Sequence, residues 1–243
     1  MEKFPRIVSN ELKYYVYIYS NPITEEIFYV GKGKGDRVFA HLFDEHETEK
    51  VKYLNDLKQQ NLKPKIEILI HGIENEETAL RIEASIIDLI GIKKLTNKQS
   101  GWKSATYGRM TLQQIVSAYS KEKIEIEEKA ILIRINQAFR YSMTPIELYD
   151  YTRGQWKINQ ERANNAKYAF AVYEGIIQEV YSVIQWLEAG KTFNTRKEEN
   201  ALEDRFEFIG NIADPEIREK YKFKSVEHYF KKGNANPIMY LNC

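Results

Sequence analysis

The sequence has almost no cysteine and no long apolar run. The one cysteine among 243 residues is Cys243, so no disulfide can form within the chain. No apolar stretch approaches the roughly 20 residues that a membrane-spanning helix requires. The first ten residues, MEKFPRIVSN, also lack the apolar core of a signal peptide. These absences predict an intracellular, cytoplasmic protein with no membrane partner.

An excess of charge of either sign is also missing. The chain has 36 basic and 35 acidic residues, a net charge of +1, so overall electrostatics does not indicate a nucleic-acid partner. Local clusters are more informative. Lys32, Lys34 and Arg37 surround a glycine-rich turn in which only Asp36 opposes them, and they are candidate phosphate contacts. A second basic run is also a candidate for phosphate contacts, but a solvated face is its simpler explanation: Lys93, Lys94, Lys98 and Lys103.

An alternating tyrosine-rich segment lies near the start of the chain. Tyr14 to Tyr19 alternates aromatic and β-branched residues and predicts a strand, and Ile27 to Val30 predicts a second. The segment 20–26 has the residues of a turn, so the two strands should form an antiparallel hairpin. Alternation places Tyr15, Tyr17 and Tyr19 on one face. In the expected register, the phenols of Tyr17 and Tyr29 face one site.

A glycine-rich segment follows this hairpin. Gly31, Gly33 and Gly35 should let the backbone turn tightly into a helix that begins near Asp36. Arg37 and His41 are four residues apart and would therefore lie on one side of that helix.

Together these residues resemble the motif of the GIY-YIG nucleases. The matching segments are Tyr15-Val16-Tyr17 and Tyr29-Val30-Gly31-Lys32, followed by Arg37 and His41. Tyr15 replaces the first glycine of the motif and valines replace its isoleucines, but neither change removes a group that the reaction needs. The segment YVGKGKGDR is most similar to the subgroup found fused to LEM domains. The resemblance covers about residues 14–101.

The resemblance implies an endonuclease that hydrolyses DNA with a divalent cation, Mg²⁺ or Mn²⁺. Tyr17 is the first candidate for the general base and Tyr29 the second. Arg37 offers a planar fork for phosphate oxygens. Lys32 adds a charge that favours a nearby phenolate. His41 would orient the tyrosine or protonate the leaving group.

Two further polar residues match the family by position. Glu83 lies in an otherwise apolar face of the predicted helix Glu76–Ile90, where an unpaired carboxylate is costly. It corresponds to the glutamate that holds the metal ion in the family; the alternative is an ion pair with Arg81 or a surface lysine. Asn97 corresponds to the late polar residue near the site.

The predicted fold class is α+β. Residues 1–105 would form the nuclease domain, with a third strand at 64–71, and residues 106–165 a helical connector with helices at 111–119, 127–141 and 144–151. Residues 166–243 would form a β-rich substrate-recognition domain, resembling the PUA-like barrels, with strands at 169–173, 176–183, 205–209 and 237–242. Its aromatic residues could stack a nucleobase or simply fill a core.

The spacing of Asp150, Arg153 and Trp156 predicts a structural ion pair under a tryptophan. The rival function is a nucleic-acid reader without catalysis.

Overall fold

A computed structural model describes residues 3–40, 42, 46, 48–98, 101–103, 107–196, 203–230, 233 and 235–243. The predicted site residue His41 lies outside the described residues. The chain divides into two compact units, Met1–Arg109 and Met110–Cys243. In the part that the structure describes, every helix is too short or too polar to cross a membrane.

The N-terminal unit is a three-stranded antiparallel sheet with helices on both faces. Its strands lie in the order β2-β1-β3. The predicted hairpin, third strand and long helix are confirmed. In chain order the elements are α1 (Arg6–Leu12), β1 (Tyr14–Ser20), β2 (Ile27–Lys34), α2 (Arg37–Ala40), α3 (Glu49–Gln59), β3 (Lys65–Ile73) and α4 (Glu76–Ile90).

The two faces of β1 belong to different cores. Tyr15, Tyr17 and Tyr19 pack in one cluster with residues of α2 and α3. Val16 and Ile18 pack in the other cluster, against the apolar face of α4. The alternation of the sequence therefore predicted the two faces correctly, since successive side chains of a strand point to opposite sides.

Strand β2 is longer than the sequence suggested. It was expected to end at Val30, but it continues to Lys34. In the register of the hairpin, Gly31 pairs with Tyr17 and Gly33 with Tyr15. A Cβ atom on Gly31 or Gly33 would lie within 2.7 or 2.6 Å of the opposing tyrosine ring. These glycines make room for the rings, and the chain turns at Gly35, whose φ is +57°.

The C-terminal unit is a five-stranded mixed sheet flanked by short helices. The strands lie in the order β7-β6-β5-β4-β8. Strands β4 and β5 are parallel and the other neighbours are antiparallel. The predicted α+β class is confirmed. The elements are α5 (Leu112–Ser120), β4 (Ala130–Arg134), α6 (Pro145–Arg153), α7 (Gln160–Asn165), β5 (Tyr168–Tyr173), β6 (Ile176–Glu188), β7 (Phe206–Ile212), α8 (Pro215–Tyr221) and β8 (Ile238–Leu241).

Two expectations for this unit require correction. The helix predicted over 127–141 is wrong, because Ala130–Arg134 forms strand β4 between β5 and β8. Its apolar residues are completely buried, and a short apolar run covered on both faces has no periodicity that separates strand from helix. The sheet is also open: no pairing joins the edge strands β7 and β8 among the described residues, so the barrel is not closed.

Candidate active site

The two tyrosines that the sequence singled out lie side by side. The ring centroids of Tyr17 and Tyr29 are 6.1 Å apart, and Tyr19 lies within 5.5 Å of both rings. Gly31 lies against the pair: a Cβ atom there would be 2.7 Å from Cζ of Tyr17 and 2.9 Å from Cε1 of Tyr29. The hairpin register and one glycine together produce this arrangement.

The two tyrosines differ in their access to water. The side chain of Tyr17 is completely buried, whereas Tyr29 is partly exposed. Burial raises the pKa of the Tyr17 phenol far above its usual value, and the neighbouring phenols of Tyr29 and Tyr19 raise it further. The charge of Arg37 opposes this shift but does not overcome it. Tyr17 is therefore strongly disfavoured as a phenolate, and Tyr29 is the member of the pair that solvent reaches.

Two other tyrosines of β1 hold the turn that carries Arg37. The hydroxyl of Tyr15 donates to the carbonyl oxygen of Gly35 at 2.6 Å and accepts from the amide of Val38 at 3.1 Å. The hydroxyl of Tyr19 donates to the carbonyl oxygen of Val38. The sequence interpretation missed these roles, although three tyrosines on one strand face were a visible signal.

Arg37 itself points to solvent at the first position of α2. No hydrogen bond or ion pair ties its exposed guanidinium to the residues that the structure describes. The next residue, Val38, is bonded by the hydroxyls of Tyr15 and Tyr19, and the charge of Arg37 acts to lower the pKa of both tyrosines. An unengaged guanidinium beside this row is suited to hold an incoming phosphate.

Glu83 connects α4 to β2. The backbone amide of Lys32 donates to Oε1 of Glu83 at 3.0 Å, while the Lys32 ammonium forms an ion pair with Glu76. Arg81, the alternative partner of Glu83, pairs instead with Glu77 at 3.4 Å. Burial raises the pKa of the Glu83 carboxyl above its usual value, and the amide and charge of Lys32 only partly offset this. The carboxylate is thus poorly solvated and only partly compensated.

Asn97 fixes the outer edge of β2. Its Oδ1 accepts from the amide of Val30 at 3.1 Å, and its Nδ2 donates to the carbonyl oxygen of the same residue at 2.7 Å. The neighbouring Thr96 also bonds the edge, through the carbonyl of Phe28. Both polar groups of Asn97 are committed to backbone, so it positions the strand that carries Tyr29.

The residues present fit a divalent cation held by one protein carboxylate. No group of three or more histidine, cysteine, aspartate or glutamate side chains clusters within the described parts of the chain. Among the described residues of the site, Glu83 is placed to bind a cation, because one of its oxygens accepts from Lys32 and its carboxylate is only partly compensated. One carboxylate with waters and a phosphate oxygen suits Mg²⁺.

Lys50 is a site residue that the sequence did not reveal. Its side chain is 7% exposed, and its ammonium lies 4.7 Å from the ring centroid of Tyr29. Nothing in the local sequence distinguishes it from the other lysines of α3.

The polar residues that the sequence singled out in the C-terminal unit have structural roles, as predicted. Arg153 forms a buried ion pair with Asp150 at 2.8 Å, and the indole of Trp156 donates to the carbonyl of Thr152, as expected for a structural ion pair. The strand aromatics are buried, which favours the interpretation that they fill a core: Tyr168, Phe170, Tyr173, Tyr181 and Trp186.

The basic residues near the C-terminus are ion-paired where the structure describes them. Lys220 lies 2.7 Å from Glu127, Lys222 is 2.6 Å from Glu179 and Lys224 is 2.6 Å from Glu122; Lys231 and Lys232 lie outside the described residues.

The hairpin, the tyrosine row and the glutamate on α4 define a GIY-YIG domain, a type of domain that acts in nucleases. More narrowly, the chain belongs to the family of LEM-3-like GIY-YIG domains, whose sequence model matches residues 5–131, just over half of the chain. This confirms the resemblance to the LEM-associated subgroup. The family implies an endonuclease with a nucleic-acid substrate and a divalent metal ion.

A curated relative agrees with this assignment. The ankyrin repeat and LEM domain-containing protein 1 homolog of Caenorhabditis elegans is 31% identical over 122 residues, which cover 41% of this chain and 17% of the relative. The match therefore spans about a sixth of the relative's length. No solved structure gives a significant match.

Proposed function

We propose that the protein is a Mg²⁺-dependent DNA endonuclease whose N-terminal unit performs the hydrolysis. The observation that carries this proposal is the junction at β2, which bears Tyr29 and, three residues later, bonds Glu83 through the amide of Lys32. The nuclease motif and the carboxylate that would hold the metal are thus joined to one strand. A reader protein without catalysis has no use for a poorly solvated glutamate at this place, which argues against the rival function.

Each requirement of phosphodiester hydrolysis has a candidate group in this unit. Tyr29, partly exposed, would accept the proton of the attacking water, and buried Tyr17 would hold its neighbour in place. Arg37 would bind the phosphoryl oxygens that gain negative charge. Glu83 would hold the metal ion, which supplies a Lewis acid for the scissile phosphate. This reverses the order in which the sequence ranked the tyrosines.

The finer parts of the proposal concern the substrate. We propose that the C-terminal unit selects it, because the residues suited to hydrolysis all belong to the first unit. The setting would be intracellular, either the restriction of foreign or modified DNA or the processing of branched DNA. A large share of specific DNA binding comes from phosphate contacts, so this unit should bind less tightly as salt increases.

The experiment compares three substrates with and without Mg²⁺: plasmid, base-modified plasmid and a four-way junction. Strand cleavage that requires Mg²⁺ and disappears in Glu83→Gln would support the proposal. Preference among the substrates would distinguish restriction from the processing of branches. DNA binding without cleavage of any substrate would instead favour the reader.

A further inference from the structure

Lys50 occupies a position where the fold favours an apolar side chain. It lies at the second position of α3, after the N-cap Thr48. Residues 50, 53, 54 and 57 share one side of this helix, because they are three, four and seven positions apart. The other three, Tyr53, Leu54 and Leu57, all pack on the tyrosine face of the sheet. Lys50 therefore begins a stripe that covers the tyrosine row.

A lysine at this place has two energetic disadvantages. Its side chain is only 7% exposed, and removing an ammonium from water costs free energy. It also lies in the first turn of a helix, where the macrodipole disfavours positive charge. An unbranched apolar side chain would cover the same surface without either cost. Burial places the ammonium of Lys50 against other groups of the protein.

One of these contacts is with a tyrosine of the candidate site. The nitrogen lies 4.7 Å from the ring centroid of Tyr29, which is close enough for a cation–π interaction. A cation in this position attracts the neutral phenol weakly and the negatively charged phenolate more strongly, so it favours ionisation of the phenol. Tyr29 is the partly exposed tyrosine of the candidate pair.

We propose that Lys50 is a positioning residue that prepares Tyr29 for proton transfer. The inference rests on the proposed function and deepens it. Tyr29 first releases its phenolic proton to solvent. The phenolate then takes a proton from the water whose oxygen attacks phosphorus. Lys50 stabilises the phenolate in this sequence and keeps its ring oriented, without contacting the substrate.

The test replaces the charge while keeping the length and apolar character of the side chain. Lys50→Met should lower kcat about 10-fold or more, the lower range for an impaired general base, and change KM little. Its melting temperature, measured in parallel, separates the loss of the charge from a loss of folding. Lys50→Arg should retain more activity than Lys50→Met. Lys52→Met is the matched control, since Lys52 is exposed on the same helix.

A double variant shows whether Lys50 acts through Tyr29. In the Tyr29→Phe background, Lys50→Met should produce no further loss, because the group that it serves is already gone. Multiplicative losses in the double variant would overturn the inference. Full activity of Lys50→Met, or a loss of activity that follows a loss of stability, would overturn it as well. In either case Mg²⁺-dependent cleavage by the unaltered protein would leave the proposed function intact. Absence of that cleavage would refute both.

Discussion

The two units use similar residues for different purposes. In the C-terminal unit, buried charges are compensated: Arg153 lies 2.8 Å from Asp150 and 3.6 Å from Glu207, and it also bonds Thr192 and the carbonyl of Phe193. In the N-terminal unit, burial raises the pKa of Glu83, and the guanidinium of Arg37 stays exposed. Compensated charges hold a fold together, whereas incompletely compensated ones are suited to bind a ligand.

The tyrosines of β1 are buried in a core, as the C-terminal aromatic residues are, but two of them also support the candidate site. The C-terminal strands bury their rings in a core around Phe170 and Tyr221. In the N-terminal unit, the hydroxyls of Tyr15 and Tyr19 bond the backbone of Gly35 and Val38, at the turn into α2. Substitutions at the candidate site of the first unit should therefore lower activity. Substitutions of the buried charges in the second unit should lower stability. The tests of this comparison run from the largest expected effect to the smallest.

Glu83→Gln should abolish cleavage and leave DNA binding nearly intact. The amide keeps the volume and can still accept from Lys32, but it is a poor ligand for Mg²⁺. Because burial raises the pKa of Glu83, its charged form at neutral pH costs folding free energy, and the variant should be at least as stable. Mg²⁺ should raise the melting temperature of the unaltered protein but not that of the variant. Cleavage near the unaltered rate would refute the metal assignment.

Tyr29→Phe should be more damaging than Tyr17→Phe. Loss of a general base reduces the rate by about 10²–10⁴-fold. Tyr17 is completely buried and its raised pKa keeps it neutral, so its hydroxyl is a poor proton acceptor. Both substitutions are nearly neutral in volume, and unfolding measurements would show whether either loss of rate reflects instability. If Tyr17→Phe alone removes activity, the order that the sequence suggested is correct.

Arg153→Met should destabilise the C-terminal unit by about 3–5 kcal/mol, the range for breaking a buried ion pair. The substitution leaves Asp150 and Glu207 buried without their shared cation. Urea unfolding would measure the change, with the exposed Arg140→Met as the control. A change below about 1 kcal/mol, the range of surface pairs, would contradict the structural role.

Arg37→Ala should reduce the rate of cleavage by about 3 kcal/mol in transition-state free energy, the scale for one preorganised donor. Arg37→Lys should recover little of this loss, since an ammonium cannot form the bidentate fork. Arg6→Ala is a matched control, because Arg6 is also an exposed first residue of a short helix. Complete recovery by lysine would show that charge alone matters at this position.

Local patterns in the sequence determined much of the N-terminal unit. The alternation of Tyr14 to Tyr19 predicted a strand with two distinct faces, and the period of Glu76–Ile90 predicted α4 with the ends that it has. The motif and its spacing indicated the family and its candidate site. Periodicity and turn chemistry are properties of neighbouring residues, so the strand, the helix and the motif can be predicted without knowledge of the tertiary structure.

Tertiary structure decided which of these residues water can reach. The sequence offered both Tyr17 and Tyr29 as the general base, with Tyr17 first, yet α2 and α3 pack on the face where Tyr17 is completely buried. Lys50 is one of several lysines along α3 and is buried only because its side of the helix meets the tyrosine row. The run Ala130–Arg134 became a strand because β5 and β8 lie on either side of it. Burial depends on contacts between segments that are distant in the chain, and the local sequence pattern does not predict those contacts.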